Sequence, residues 1–184
     1  MVLNTSAQSK SSKRAKRIVV LLVVAVTALA GTAFVFQYLG FFWHLFWGNS
    51  IEFESWRIPV PKAYYVRNDT KSRHLFRHEF GIPFVASAYG HISIFGRTTS
   101  PTINIESGIL AAAQRGGLTF VEKLDVTTKA GHASCFEFRR TGRDEVYSRC
   151  VITEVPIVVF YEGAPRFRSD LQAVLQGIAK SDGI

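Results

Sequence analysis

The chain has 184 residues, a formal net charge of +8 and only two cysteines, enough length for one domain plus an anchor. Its basicity is unevenly placed: Lys10, Lys13, Arg14, Lys16 and Arg17 precede residue 18 without a single acid. Basic residues flanking an apolar run are a topology signal, so no nucleic-acid partner is expected.

Residues 1–17 read as a disordered basic cytoplasmic tail, with Lys13, Arg14, Lys16 and Arg17 as the cluster that stays inside. Residues 18–39, IVVLLVVAVTALAGTAFVFQYL, are uncharged. As a helix they would be roughly 33 Å long, which predicts a single transmembrane span across a hydrocarbon core of about 30 Å. Thirteen of them are Leu, Ile, Val or Phe, which favour insertion by on the order of 4–8 kcal/mol in sum. The competing reading is a cleaved signal peptide, for which Ala28-Leu29-Ala30 before Gly31 is a fitting site. Cleavage there would leave a strongly apolar new terminus. A pilin leader fails, because Arg17 precedes the run and the first glutamate is Glu52.

Residues 40–50 form an aromatic segment. Phe41, Phe42, Trp43, Phe46 and Trp47 suit a membrane–water interface, where an apolar ring and a polar N–H are both satisfied; a docking surface for another membrane protein is the alternative. Gly48-Asn49-Ser50 then breaks the helix.

Residues 51–184 are long enough to bury a core, and we expect them to form an extracytoplasmic α+β domain with a mainly antiparallel sheet. Short strands open it: Trp56-Arg57-Ile58 running into Pro59, Tyr64-Tyr65-Val66 stopped by Asn68-Asp69, and the alternating stretch Arg73–Phe80. The last of these puts His74, Phe76, His78 and Phe80 on one face. His91–Phe95 is a further strand. A helix over 107–115 follows, with Ser107 as N-cap and Gly116-Gly117 as terminator; Thr102–Glu106 fits either strand or helix. Then come the strands Thr119–Thr128, Ala133–Arg140, Glu145–Thr153 and Ile157–Tyr161. The last is apolar on both alternating sets, which predicts cover on both faces. Pro165 opens a C-terminal amphipathic helix whose stripe is Phe167, Leu171, Val174, Leu175 and Ile178. This element order, closing on the strand–helix pair Ile157–Ile178, resembles PsbP-like accessory domains. The resemblance implies an antiparallel sheet between helices and no particular binding residues.

Cys135 and Cys150 flank FEFRRTGRDEVYSR, two strand-like pieces about Thr141-Gly142-Arg143-Asp144. Folding at Gly142–Arg143, with Gly142 first in a type II′ turn, sets Arg140 against Glu145, Phe138 against Tyr147 and Cys135 against Cys150. Opposed residues have Cα atoms roughly 4.5–5.5 Å apart, so a structural disulfide is expected. Two buried thiols and a redox pair are the alternatives.

No nucleophile elbow, phosphate loop, zinc helix motif, EF-hand or C-x-x-C occurs. His74 and His78 would lie about 13 Å apart along a strand, too far for one ion, so neither a metal nor a cofactor is expected. Arg139, Arg140, Arg143, Arg149, Arg166 and Arg168 form a possible anion- or partner-binding set. The plainer reading pairs Arg140 and Arg143 with Glu145 and Asp144 and leaves the others solvated. Asn68-Asp69-Thr70 is a formal glycosylation triplet.

The expected protein is a non-catalytic accessory or binding protein of the inner membrane. Its N-terminus would lie in the cytoplasm and its domain in the periplasm or outside the cell, with the lipid bilayer and an envelope protein as partners. Two alternatives stay open. One is a subunit recruited through its apolar helix by the small residues Ala28, Ala30, Gly31 and Ala33. The other is an enzyme whose residues are scattered along the chain and gathered by the fold.

Overall fold

The computed structural model describes residues 6–80, 86–97 and 105–181; the side chains of 6–15, Ala33, Phe36, Gln37, Phe80, Ala86, Ser87 and Ile105 lie outside that description. The first element is a continuous helix, α1 (Ser6–Trp47), which ends where the Gly48 N–H donates to the His44 carbonyl at 3.1 Å. Two strands, β1 (Ser50–Phe53) and β2 (Trp56–Pro59), form a hairpin. The chain continues through β3 (Tyr65–Asn68), β4 (Ser72–Phe80), β5 (Ala86–Gly96), α2 (Ile105–Arg115), β6 (Thr119–Thr128), β7 (Gly131–Arg139), β8 (Val146–Ile152) and β9 (Ile157–Gly163). A 3-10 turn at Pro165–Phe167 leads into α3 (Arg168–Gly177) and the short β10 (Ala179–Lys180).

The α+β, antiparallel part of the expectation is what the chain adopts. A seven-stranded antiparallel sheet has the order β3-β4-β5-β9-β8-β7-β6, and a small second sheet has the order β1-β2-β10. Strand alternation sorts the large sheet into two faces. Leu75, Ile92, Ile94, Val159, Tyr161, Cys150 and Cys135 point to the front and are buried. There they meet Phe167, Leu171, Val174, Leu175 and Ile178, the stripe read from the sequence, together with Phe53, Ile58 and Val60 from the hairpin. On the back, α2 packs Ile109 and Ala113 against Phe136, Phe138, Tyr147 and Val151. The segment 102–106 is resolved in part: Ile105 and Glu106 belong to α2, and 102–104 lie outside the described residues.

The transmembrane part of the expected fold class is overturned, because among the described residues no helix is long and apolar enough to cross a membrane. The tail expected to be disordered over 1–17 is helical from Ser6 onward. Extending an existing helix costs little for Ala, Lys, Arg and Gln, since only nucleation is expensive. Of the topology residues, Lys16 and Arg17 are exposed, and the side chains of Lys13 and Arg14 lie outside the described residues.

A third correction concerns β9. Its front residues are buried, but Val158 and Phe160 on the back are only partly so. Helix α2 covers the β7–β8 end of the back face, and its cluster reaches β9 only at Val158. The uncovered remainder of that face carries the site described next.

Candidate functional site

The antiparallel register brings the back-face residues of four strands together. Phe76 lies opposite His91, and His74 lies opposite Ser93, in the β4–β5 ladder. Ser93 lies opposite Phe160, and His91 opposite Glu162, in the β5–β9 ladder. Arg149 of β8 completes the row beside Phe160. The alternation of Arg73–Phe80 was legible in the sequence. The pairing of His74 with residues of β5 was not, because register is a tertiary choice.

The result is a polar cluster on an aromatic floor. His74 Nδ1 lies 3.1 Å from His91 Nε2 and 3.0 Å from Ser93 Oγ, and Ser93 Oγ lies 2.9 Å from His91 Nε2. The other nitrogen of His74, Nε2, is 2.8 Å from Ser72 Oγ. Ser72 and Ser93 are 2% and 7% exposed, so both hydroxyls are locked by their neighbours rather than by solvent. The His91 ring stacks on Phe76 with centroids 4.3 Å apart, and Tyr65 stacks on the far side of Phe76 at 5.7 Å. Phe95 and Phe160 pack at 5.3 Å, and the Arg149 guanidinium sits over Phe160.

Two cavities open on this surface and share His91. One of about 400 Å³ is lined by Arg67, Asn68, Asp69, His74, Phe76 and His91. The second, of about 160 Å³, includes Ser93, Tyr147, Arg149, Phe160 and Glu162. Burial, and then the neighbouring His74, push the His91 imidazolium toward losing its proton. Burial likewise lowers the pKa of His78 and of Arg149. Tyr147 is raised by burial first and by the nearby Glu162 next. Its buried hydroxyl has no hydrogen-bond partner among the described residues.

The arrangement can present imidazole nitrogens, a serine hydroxyl and a guanidinium to a ligand. Ser93 and His91 stand at nucleophile-to-base distance. No carboxylate is hydrogen-bonded to either imidazole among the described residues; the second nitrogen of His74 goes to Ser72 instead.

The expected disulfide is present. Cys135 and Cys150 are bonded, with Cα atoms 4.0 Å apart, in the register read from the sequence: Phe138 opposite Tyr147 and Cys135 opposite Cys150. The turn itself differs. The Arg143 N–H donates to the Arg140 carbonyl at 3.2 Å, and Gly142 has φ +77°, making it the second central residue of a turn spanning 140–143 rather than the first of a type II′ turn. The looser loop leaves Arg140 outside the ladder.

The six arginines occupy separate places. Arg139 ends β7 and is exposed; Arg140 lies over the Tyr147 ring; Arg143 lines a cavity of about 540 Å³ with Tyr89, Glu145 and Ala164. Arg166 pairs with Glu79 at 2.6 Å. On the front face, Arg168 donates to Glu122 at 3.0 Å and stands 2.9 Å from the buried Glu137. Among the described residues, the ion pairs suggested for Arg140 with Glu145 and Arg143 with Asp144 do not form; cation–π packing takes Arg140 instead. Only Arg149 reaches the groove.

The aromatic segment is also divided. Phe41, Phe46 and Trp47 are 61%, 71% and 67% exposed, whereas Trp43 packs on the domain core. His44 Nε2 lies 3.0 Å from the Pro61 carbonyl oxygen. A Cβ on Gly40 would stand 2.5 Å from the Ala63 carbonyl carbon, so the last turns of α1 are seated directly on the domain.

No protein-family model matches the chain, and no curated protein matches it.

Proposed function

We propose that the chain is a non-catalytic accessory protein held at a cell membrane by the apolar side chains of α1. It presents its α+β domain, in an oxidising compartment outside the cytoplasm, to an envelope partner or ligand. The observation that carries this reading is the exposed apolar circumference of α1. Leu21, Leu29, Leu45 and Phe46 are 64–71% exposed, and bulky neighbours between them are exposed on every side rather than along one stripe. Surfaces of that extent are unfavourable in water and mark association with lipid or another protein. The disulfide supports the compartment, since such bonds persist where thiols are not kept reduced. The groove of Phe76, His91, Phe160 and Arg149 is the contact surface we assign to the partner or ligand.

The test is flotation of the native chain with its membranes after a high-salt wash, combined with thiol alkylation. Recovery in the floating fraction, with both cysteines alkylated only after reduction, supports the reading. Recovery in the aqueous fraction, or direct alkylation of both thiols, overturns it.

Two observations favour other readings. Gly31 has open space where a Cβ would be, which leaves α1 room at that position to meet another helix. Replacing α1 up to Leu39 with an unrelated apolar helix abolishes partner capture under that reading and preserves it under ours. The histidines, serine and arginine gathered from separate strands are what an enzyme with scattered residues would display. A Ser93→Ala variant that retains full biological activity removes that possibility for a serine nucleophile.

A further inference from the structure

Going beyond the accessory role, we infer that the outer edge of β6 pairs with β6 of a second copy of this chain, antiparallel and centred on Leu124. β6 ends the seven-stranded sheet, and among the described residues its only strand partner is β7. Residues 119–123 are exposed along it, as are Asp125 and Thr127. Beyond α1, Phe120 and Val121 are the large apolar side chains left in solvent among the described residues, at 47% and 45% exposure. An open strand edge with apolar side chains beside it is a template for another strand.

The ladder fixes which backbone groups of β6 face outward. At the end of the β7–β8 pairing the Thr153 N–H donates to the His132 carbonyl at 2.9 Å, which makes these two residues a hydrogen-bonded pair. Alternation along the strands then makes Cys135 and Cys150 a non-hydrogen-bonded pair, in keeping with their 4.0 Å Cα separation. Cys135 therefore turns its own N–H and C=O toward β6, where it faces Leu124. Leu124 is bonded inward to β7, and the backbone groups of Lys123, Asp125 and Thr127 point out from the sheet.

Two copies related by a two-fold axis can join these outward groups in few ways. Centring the pair on Lys123 sets Lys123 against itself, and centring it on Asp125 sets Asp125 against itself. Centring on Val126 brings Lys123 to Lys129. Registers nearer Phe120 run into the irregularity between Phe120 and Glu122, and those nearer Thr128 run off into the turn before Gly131. Centring on Leu124 opposes Lys123 to Asp125 twice, as hydrogen-bonded pairs, and Leu124 to its own copy. Opposite charges stabilise a cross-strand pair and like charges directly opposed destabilise it, so charge selects this register. Lys123 also lies 3.3 Å from Glu106, and Asp125 accepts from Ser134; an ammonium with three donors and a carboxylate with two oxygens can each take a further partner. Residues 122–126 stay regular, and Phe120 and Val121 are covered by the Thr127–Thr128 end of the partner strand.

The experiment follows the mass of the full chain in detergent by sedimentation over a range of concentrations. We expect a dimer. Lys123→Asp and Asp125→Lys should each weaken dimerisation by about tenfold or more, because either one makes both charge pairs repulsive. Asp125→Pro should abolish it, since the N–H it removes points out of the sheet and takes no part in the β6–β7 ladder. The double variant Lys123→Asp/Asp125→Lys restores both pairs with their signs exchanged, and it should dimerise within about threefold of the native chain. Thermal unfolding of each variant separates a lost contact from a damaged fold. A native chain that stays monomeric overturns the proposal, and so does a dimer that all these variants leave unchanged, which would assign association to α1. A double variant that keeps its melting temperature but stays as weak as the single ones also overturns it, pointing to another register or to a strand of a different protein. Should Asp125→Pro fail to fold, the charge exchange decides alone.

Discussion

The disulfide offers the most direct energetic test. Cys135 and Cys150 join β7 to β8, two interior strands of the seven-stranded sheet, at positions 4% and 0% exposed on the face beneath α3. The bond closes a loop with a sequence separation of 15. On the chain-entropy model that removes about 3 kcal/mol of conformational freedom from the unfolded state. In a domain of this size each kcal/mol moves the melting temperature by roughly 3–5 °C, so reduction alone should lower it by about 10–15 °C. The double variant Cys135→Ala/Cys150→Ala should lose somewhat more, because each truncation also leaves a small void worth ~1 kcal/mol. The assay is thermal unfolding followed by near-ultraviolet dichroism and tryptophan fluorescence, with and without reductant. If the fully reduced chain melts within ~2 °C of the oxidised one, the loop-closure argument is wrong and the sheet holds β7 and β8 without help.

Other outcomes follow from single contacts. Arg77 bridges β4 to α3, at 2.8 Å from Asp170 and 2.6 Å from Glu79, with its guanidinium 4.0 Å from the centre of the Phe167 ring. Arg77→Leu strands the Asp170 charge and should cost about 2–4 kcal/mol in denaturant titration, part of which Arg77→Leu/Asp170→Leu recovers; equal losses in both would refute the pairing. Gly40→Val drives a side chain into the Ala63 backbone. It should cost ~1–3 kcal/mol of docking between α1 and the domain, seen as a red-shifted Trp43 emission and faster proteolysis near Gly48; an unchanged spectrum and cleavage rate would contradict the close approach. Burial raises the Glu137 pKa above its ordinary 4.5, against the opposing pull of Arg168. The folded state then holds that proton more tightly than the unfolded state does. Its contribution is full below about pH 4.5 and is lost as pH rises through the raised value. Glu137→Gln should flatten this slope, and a stability–pH curve identical to the native one would count against it.

Local chemistry decided much of the domain in advance. The β7–β8 register follows from the Phe138–Tyr147 and Cys135–Cys150 pairs placed symmetrically about one turn, and so the disulfide was legible. The α3 stripe was legible because its five apolar residues recur at helical spacing, and all five are buried. The alternation of β4 set His74 and Phe76 on one face and Leu75 on the other; which of the two faces is buried came from the fold, which places Leu75 in the core. What a sequence cannot supply is which strands become neighbours. β5 lies between β4 and β9, and that placement alone brings His74, His91, Ser93, Phe160 and Arg149 to one surface. Tertiary packing likewise set α2 over the β7–β8 end and left half of the back face to the groove. It also seated the end of α1 on Ala63 and separated six arginines that are close in sequence. Periodicity and turn chemistry act within about ten residues of chain, whereas register between distant strands is chosen by the burial of the whole sheet.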